Sequence, residues 1–180
     1  MKYLVLSDTH GRIDASIKLY KKHQAEEPLE AIIHLGDLVS DAKALSVRTG
    51  ARVISVPGNM DGRFSDSDYE ILDTEFGPIL LIHGHMQEVK LSLQNLVYRT
   101  EELGCKAVLF GHTHKPRMEY ISGIFLLNPG SISRPLHGKG SYALLNTDGG
   151  DFHASILFDE VKAEVKSGVL YDMMNNSDRA

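Results

Sequence analysis

Cysteine is nearly missing from this 180-residue chain: Cys105 stands alone. That excludes an internal disulfide framework, Cys-x-x-Cys redox chemistry and Cys-rich zinc sites, and it fits a reducing compartment. Long apolar runs are missing too, because no stretch approaches the ~20 apolar residues that a membrane span needs. The N-terminal segment Met1–Leu6 turns polar at Ser7, too soon for a secretory signal. The expectation is a soluble cytoplasmic protein without membrane contact. Positive charge is not in surplus: 19 Lys and Arg stand against 24 Asp and Glu, for a formal net charge of -5. This argues against a broad phosphate-backbone-binding surface and against a stable nucleic-acid complex. Internal repeats, low-complexity tracts and linkers are absent. So is a Gly-x-Ser-x-Gly nucleophile elbow. Gly138-Lys139-Gly140-Ser141 fails the Walker pattern twice, since that pattern needs glycine where Ser133 stands and Ser or Thr directly after Lys139.

What is present describes a compact domain. Apolar residues make up 42% and charged residues 24% of the chain, close to ordinary globular usage. A domain of this size buries roughly 70% of its unfolded surface and needs no structural metal or disulfide to be stable. One domain over residues 1–172 is expected, with a tail at 173–180 that has no periodicity and should fray. Five short apolar runs predict buried strands: Tyr3–Leu6, Ala31–Leu35, Val53–Val56, Ile79–Ile82 and Ala107–Phe110. Helical patterns lie between some of them. One opens at Asp14 as a candidate N-cap, and a longer one runs from Val89 to Leu103 and ends at Gly104. Strand, helix, strand alternation predicts parallel pairing. Beyond His114 the pattern changes to strands at Arg117–Ile121, Ile124–Leu127, Tyr142–Asn146 and Phe152–Phe158. Ser122-Gly123 and Asp148-Gly149-Gly150 mark hairpin turns between them, so this half should be antiparallel.

The chemistry sits where the apolar runs end. There the sequence reads Asp8-Thr9-His10-Gly11, Gly36-Asp37, Gly58-Asn59-Met60-Asp61, His83-Gly84-His85 and Gly111-His112-Thr113-His114. Open α/β sheets place ligands outside the carboxyl ends of their strands, so five strand ends are expected to converge on one rim. Of the 9 histidines, five fall in these segments. Alternate residues of an extended strand share a side, which would let Asp8 with His10, and His112 with His114, reach one ion each. Imidazole, carboxylate and amide oxygen form a mixed set suited to Mn, Fe, Ni or Zn. The set Asp8, His10, Asp37, Asn59, His83, His112 and His114 exceeds one four-coordinate ion. Two divalent ions sharing a carboxylate would use it, as in centres that displace groups at phosphorus. The neighbouring glycines would let the backbone turn and approach closely.

In that order, these motifs resemble the calcineurin-like metallophosphoesterases, and specifically the small YfcE-type phosphodiesterases. The resemblance runs from Asp8 to about Asn146 and includes Asn128-Pro129-Gly130-Ser131. It implies a four-layer αββα sandwich with two mixed sheets. It also implies one metal on Asp8, His10 and His114, a second on Asn59, His83 and His112, and Asp37 bridging them. The activity implied is hydrolysis of a small phosphoester, with a bridging hydroxide attacking in line. Manganese is the expected ion. Larger members read Gly-Asn-His-Asp or Gly-Asn-His-Glu, whose His assists the leaving group; here Met60 stands at that place. His85 is the expected substitute donor, ahead of Arg12 and Arg63. The same small fold resembles the retromer subunit Vps29, which implies a protein-interaction scaffold as the alternative. A homo-oligomer is compatible with the sequence.

Other residues read as structural. Asp61 should cap or orient a neighbour, His34 should be a satisfied core or surface histidine, and Cys105 a small buried hydrophobe. Lys18, Lys21 and Lys22 should form a solvated helix face.

Overall fold

The computed structural model describes residues 1–62 and 67–159. The expected tail at 173–180, the last part of the expected 1–172 domain and Arg63 lie outside the described residues. The buried run β1 (Lys2–Leu6) pairs in parallel with β2 (Ala31–His34), Tyr3 opposite Ala31, and β2 pairs in parallel with β3 (Val53–Ser55). Helices α1 (Asp14–Glu26) and α2 (Val39–Thr49) provide the crossovers. The second sheet holds β4 (Tyr69–Thr74), β5 (Gly77–Ile82), β6 (Ala107–Phe110), β7 (Arg117–Ile121) and β8 (Ile124–Asn128) in the order β4-β5-β6-β8-β7. Helix α3 (Gln94–Glu102) connects β5 to β6. Finally β9 (Ser141–Asp148) and β10 (Asp151–Phe158) return to the first sheet, whose order is β10-β9-β1-β2-β3.

Side-chain alternation along the strands builds the layers. In β1, Tyr3 and Val5 face one way and join Ile79, Leu81, Leu109 and Leu127 from the second sheet in a core between the sheets. Leu4 and Leu6 face the other way, onto Ile13, Ile17 and Leu45 around α1 and α2. The second sheet does the same with Leu80 and Val108, which pack under Leu93, Leu96 and Val97 of the α3 region. The result is the αββα sandwich with two mixed sheets. Strands covered on both faces need apolar residues at every position, which is why β1, β2, β5 and β6 read as continuous apolar runs. Among the described residues, no helix is long and apolar enough to cross a membrane.

Several local expectations need correction. Asp14 does not cap α1: Ile13 holds that position, no side chain caps it, and the Asp14 carboxylate instead meets Arg48 at 2.8 Å. The regular part of the third helix begins at Gln94, because Met86–Leu91 form successive turns, yet the predicted stripe from Val89 to Thr100 is buried and Gly104 ends it at φ +67°. Helix α2 and strand β4 carry no clear signal in the sequence. α2 buries only Asp41, Ala42 and Leu45, and β4 is a half-exposed edge strand paired with β5 alone. The C-terminal half is antiparallel in its two hairpins, but β8 runs parallel to β6.

Candidate metal centre

Strands β1, β2 and β3 of one sheet and β5 and β6 of the other all end at one place. The one rim on which five strand ends are expected to converge is shared by two sheets. Immediately past these strand ends the backbone is strained. Of the seven non-glycine residues with positive φ among the described residues, five are Asp8, His10, Asp37, His112 and His114. Asp and His tolerate this conformation better than bulky residues do, but each instance still costs on the order of 1–3 kcal/mol and persists only where surroundings enforce it. The expectation of extended strand ends is therefore wrong. Because the backbone curls after each strand, His112 and His114 turn to different neighbours: His112 Nδ1 lies 3.0 Å from Asn59 Oδ1, whereas His114 Nε2 lies 3.1 Å from His10 Nε2.

Close approach is enforced by two glycines that do not have positive φ. A Cβ at Gly58 would collide with the Asp37 backbone nitrogen and Cα, and one at Gly111 would strike the Ser7 hydroxyl and stand 3.0 Å from Asp8 Oδ2. These glycines let the loops of both sheets close on the carboxylates.

The candidate ligand atoms converge at contact distance. His83 Nδ1 bonds the Leu35 carbonyl at 2.7 Å and His114 Nδ1 bonds the Arg134 carbonyl at 2.7 Å. Carbonyls only accept, so both Nδ1 atoms carry a proton, and Nε2 is the atom of each ring left to offer a lone pair to an ion. His83 Nε2 points at Asn59 Oδ1, 2.9 Å away, which is also an acceptor. His114 Nε2 stands 3.3 Å from Asp8 Oδ1, a buried oxygen with no hydrogen bond. His10 Nδ1 lies 2.6 Å from Asp37 Oδ2, yet that contact does not satisfy the oxygen as a hydrogen bond. Facing lone pairs about 3 Å apart repel one another unless a cation sits among them. That is also the separation of adjacent ligands around one ion with bonds of about 2.1 Å. Imidazoles whose second nitrogen donates to a backbone carbonyl are the usual form of metal-binding histidines. Two groups meet the geometric requirement, Asp8 with His10 and His114, and Asp8 with Asp37 and His83. The residues present fit a divalent metal centre, with Asp8 as well as Asp37 between its halves.

The electrostatics separate the two carboxylates. Burial pushes the Asp8 carboxyl up, but His114, His83 and the Ser7 hydroxyl outweigh it and hold Asp8 below the usual carboxylate range. Burial raises Asp37, and His10 offsets this only in part. The bond to Asp8 raises His114 above the ordinary histidine value, whereas burial and His83 push His112 down to about 4. His85 lies with its ring 5.4 Å from that of His83 and 6.1 Å from that of His112. Burial and His83 lower its pKa, so at neutral pH the free protein holds it mainly uncharged, a poor state for a proton donor. Met60 is 59% exposed beside Asn59.

The residues read as structural stand as expected at Asp61, Cys105 and the lysines, and only in part at His34. Asp61 accepts from the Val39 amide at 2.8 Å and the Gly58 amide at 2.9 Å, so it satisfies the first amide of α2 and fixes the turn bearing Asn59. Cys105 is buried, and Lys18, Lys21 and Lys22 are exposed. His34 is only half satisfied: it is fully buried, its Nε2 meets Thr9 Oγ1 at 2.9 Å, and its Nδ1 has no partner. The sequence did not reveal the braces. Ser131 and Ser133 hydroxyls donate to the Asp8 carbonyl at 2.8 and 3.1 Å, and Asp41 accepts from the Thr9 hydroxyl at 2.6 Å and the Gly11 amide at 2.7 Å. The loop beginning Asn128-Pro129-Gly130 offered a signal for the serines. Asp41, on an unpredicted helix, had none.

Fold and rim together define a metallophosphoesterase: a two-sheet sandwich with a His, Asp and Asn cluster at its strand ends. The chain belongs to the calcineurin-like phosphoesterase superfamily, whose domain model matches residues 1–150. It is 34% identical over 149 residues to "Probable metallophosphoesterase YsnB" of Bacillus subtilis, covering 82% of this chain and 85% of that one. Relatives at 26% identity are named phosphodiesterase, YfcE of Escherichia coli among them. A "predicted phosphoesterase" from Streptococcus pneumoniae shares the structure with a TM-score of 0.71 and 27% identity, over 87% of this chain and 88% of that one. Vps29 of Entamoeba histolytica, solved in complex with zinc, shares the fold with a TM-score of 0.67 at 24% identity, over 87% of this chain and 91% of that one.

Proposed function

We propose that this chain is a phosphodiesterase that works with two divalent transition-metal ions in the cytoplasm. The observation that carries this is the convergence of ligand atoms: His83 Nε2 on Asn59 Oδ1, and His114 Nε2 on His10 Nε2 and Asp8 Oδ1. Asp8, His10 and His114 would hold one ion, Asn59, His83 and His112 the other, with Asp37 shared. Bound there, two such ions supply an activated water and neutralise the phosphoryl oxygens during displacement at phosphorus. Manganese or nickel suits this donor set, as do iron and zinc.

The chain's own residues orient and exclude. The Leu35 and Arg134 carbonyls fix the tautomers of His83 and His114, so their Nε2 atoms stay available. The His112 amide and Ser7 hydroxyl hold Asp8 Oδ2 at 3.0 and 2.6 Å, which keeps this carboxylate ionised and leaves Oδ1 directed at the centre. Met60 cannot give a proton to the leaving oxygen, and His85 is mainly uncharged. His85 is assigned to lining and orienting the substrate, and good leaving groups should be favoured.

The scaffold alternative shares the fold with Vps29, and metal binding alone would not separate the two. Here all seven ligand positions keep competent side chains, which favours the enzyme. The deciding measurement is hydrolysis of bis(p-nitrophenyl) phosphate after chelation and after restoring Mn or Ni, with Asp37→Ala as the blank. Turnover that returns with metal is expected; metal binding without turnover sinks the proposal.

A further inference from the structure

Helix α2 is lightly packed, since along its 11 residues only Asp41, Ala42 and Leu45 are buried. Its start is nevertheless held by two carboxylates. Leu38 stands at the N-cap position and makes no side-chain bond there. Asp61 serves instead from 22 positions beyond Val39: one carboxylate oxygen accepts from the Val39 amide at 2.8 Å and the other from the Gly58 amide at 2.9 Å. The same turn lies directly on the Asp37 backbone, where a Cβ at Gly58 has no room. Asn59 rides on that turn.

The second carboxylate reaches inward. Asp41, in the first turn of α2, places one oxygen, Oδ2, 2.6 Å from the Thr9 hydroxyl and 2.7 Å from the Gly11 amide and accepts from both. Thr9 is fully buried, and its single hydroxyl proton goes to Asp41, so His34 Nε2, 2.9 Å away, donates to the Thr9 oxygen. Thr9 stands between Asp8 and His10, whose φ values are +53° and +48°. Two such residues persist only where surrounding contacts enforce them. On one side the Ser131 and Ser133 hydroxyls share the carbonyls of Asp8 and Thr9. On the other side both bonds to α2 meet at one oxygen of Asp41. A single helical turn therefore touches three of the segments assigned to the ions: Asp8 to His10 through Asp41, Asp37 by chain continuity, and Asn59 through Asp61.

We propose that this turn couples the two halves of the centre, with Asp41 as a positioning residue. By fastening the start of α2 to Thr9 and Gly11, Asp41 sets how far the segment of Asp8 and His10 stands from the turn of Asn59. This rests on the two-ion reading of the same centre. Losing Asp41 should loosen both halves, whereas losing a serine brace should loosen one.

The coupling is tested first without metal, by amide hydrogen exchange of chelated wild type, Asp41→Ala, Asp41→Asn and Ser131→Ala. In Asp41→Ala the Gly11, Val39 and Gly58 amides should all exchange about tenfold faster. Asp41→Asn keeps an accepting oxygen but loses the charge that strengthens both bonds, so the same three amides should quicken by a smaller factor; this variant carries the test if Asp41→Ala fails to fold. Ser131→Ala frees the Asp8 carbonyl without touching α2 and should leave Val39 and Gly58 unchanged. In calorimetric Mn titrations, Asp41→Asn should weaken both phases, by about tenfold each, and Ser131→Ala only the tighter one. Faster exchange confined to Gly11, weakening confined to the tighter phase, or equal acceleration of Val39 and Gly58 in Ser131→Ala each overturns the proposal. If wild type binds no Mn, the two-ion reading fails separately, and the exchange pattern still decides whether the turn links these segments.

Discussion

The two halves of the rim are built to different standards. Around Asp8, His10 and His114, each backbone segment is tied down from outside: Ser131 and Ser133 hold the Asp8 carbonyl, Asp41 holds the Thr9 and Gly11 segment, and Arg134 holds His114. Around Asn59, His83 and His112, His83 is held by the Leu35 carbonyl and the His112 segment by Asp8 and Asn128, which leaves Asn59 as the loosely held arm. Asn59 is exposed, next to exposed Met60, on a turn stabilised by Asp61. The difference teaches that a preformed half costs little to load with metal, while a half with one free arm must order on binding. The braced half should bind its ion more tightly and exchange it more slowly.

Removing what the halves share gives the largest effect. Asp37→Ala should lower metal-dependent diester hydrolysis by about a thousandfold, since it removes the carboxylate proposed to be shared; a residual rate above a tenth of wild type would separate Asp37 from the chemistry. Next come substitutions confined to one half. In calorimetric Mn titrations of chelator-stripped protein, Asn59→Ala should weaken only the weaker phase, by about a hundredfold, and His10→Ala only the tighter one. If both variants move the same phase, the centre is not divided this way.

The braces themselves are worth less. Ser131→Ala leaves every ligand in place but frees the Asp8 backbone, and should weaken the tighter phase by roughly tenfold. An unchanged titration would show that Ser133 suffices alone. Acidity should also split the halves, because metal must displace a proton from His114, whose pKa is raised, but not from His112 until pH falls to about 4. On lowering the pH from neutral, the tighter phase should weaken first. Simultaneous loss of both phases would contradict the assignment of His112 and His114 to separate ions.

A separate effect, on stability rather than on metal binding, lies beneath the rim. His34 is fully buried with its pKa lowered to about 4 by burial, against 6.5 when unfolded. Its contribution to stability is therefore complete above pH 6.5 and is lost as pH falls toward 4, where the unfolded chain takes a proton that the fold refuses. That loss is on the order of 3 kcal/mol for one group. Thermal melting of chelated protein should show it, and His34→Gln should flatten the slope between those limits.

Much of this was legible in the chain. The runs at β1, β2, β5 and β6 are apolar at consecutive positions because both faces of each sheet are covered, and that requirement shows locally. The strand-end motifs were legible for a similar reason: these polar side chains sit directly after the strands that carry them. Strand β4 escaped because an edge strand buries only part of one face. Asp41 escaped because its role depends on a contact with Thr9, 32 positions away in sequence.

By itself the sequence determined which donors are available, their order along the chain and the layers they would follow, since side-chain chemistry and burial periodicity are local properties. Tertiary structure alone decided that the curl of the chain after each strand turns His112 toward Asn59 and His114 toward His10, and that these nitrogens gather with Asp8 and Asp37 at contact distance. Those features follow from how distant segments pack and from which backbone carbonyls they bring to each imidazole. No local pattern encodes such distances.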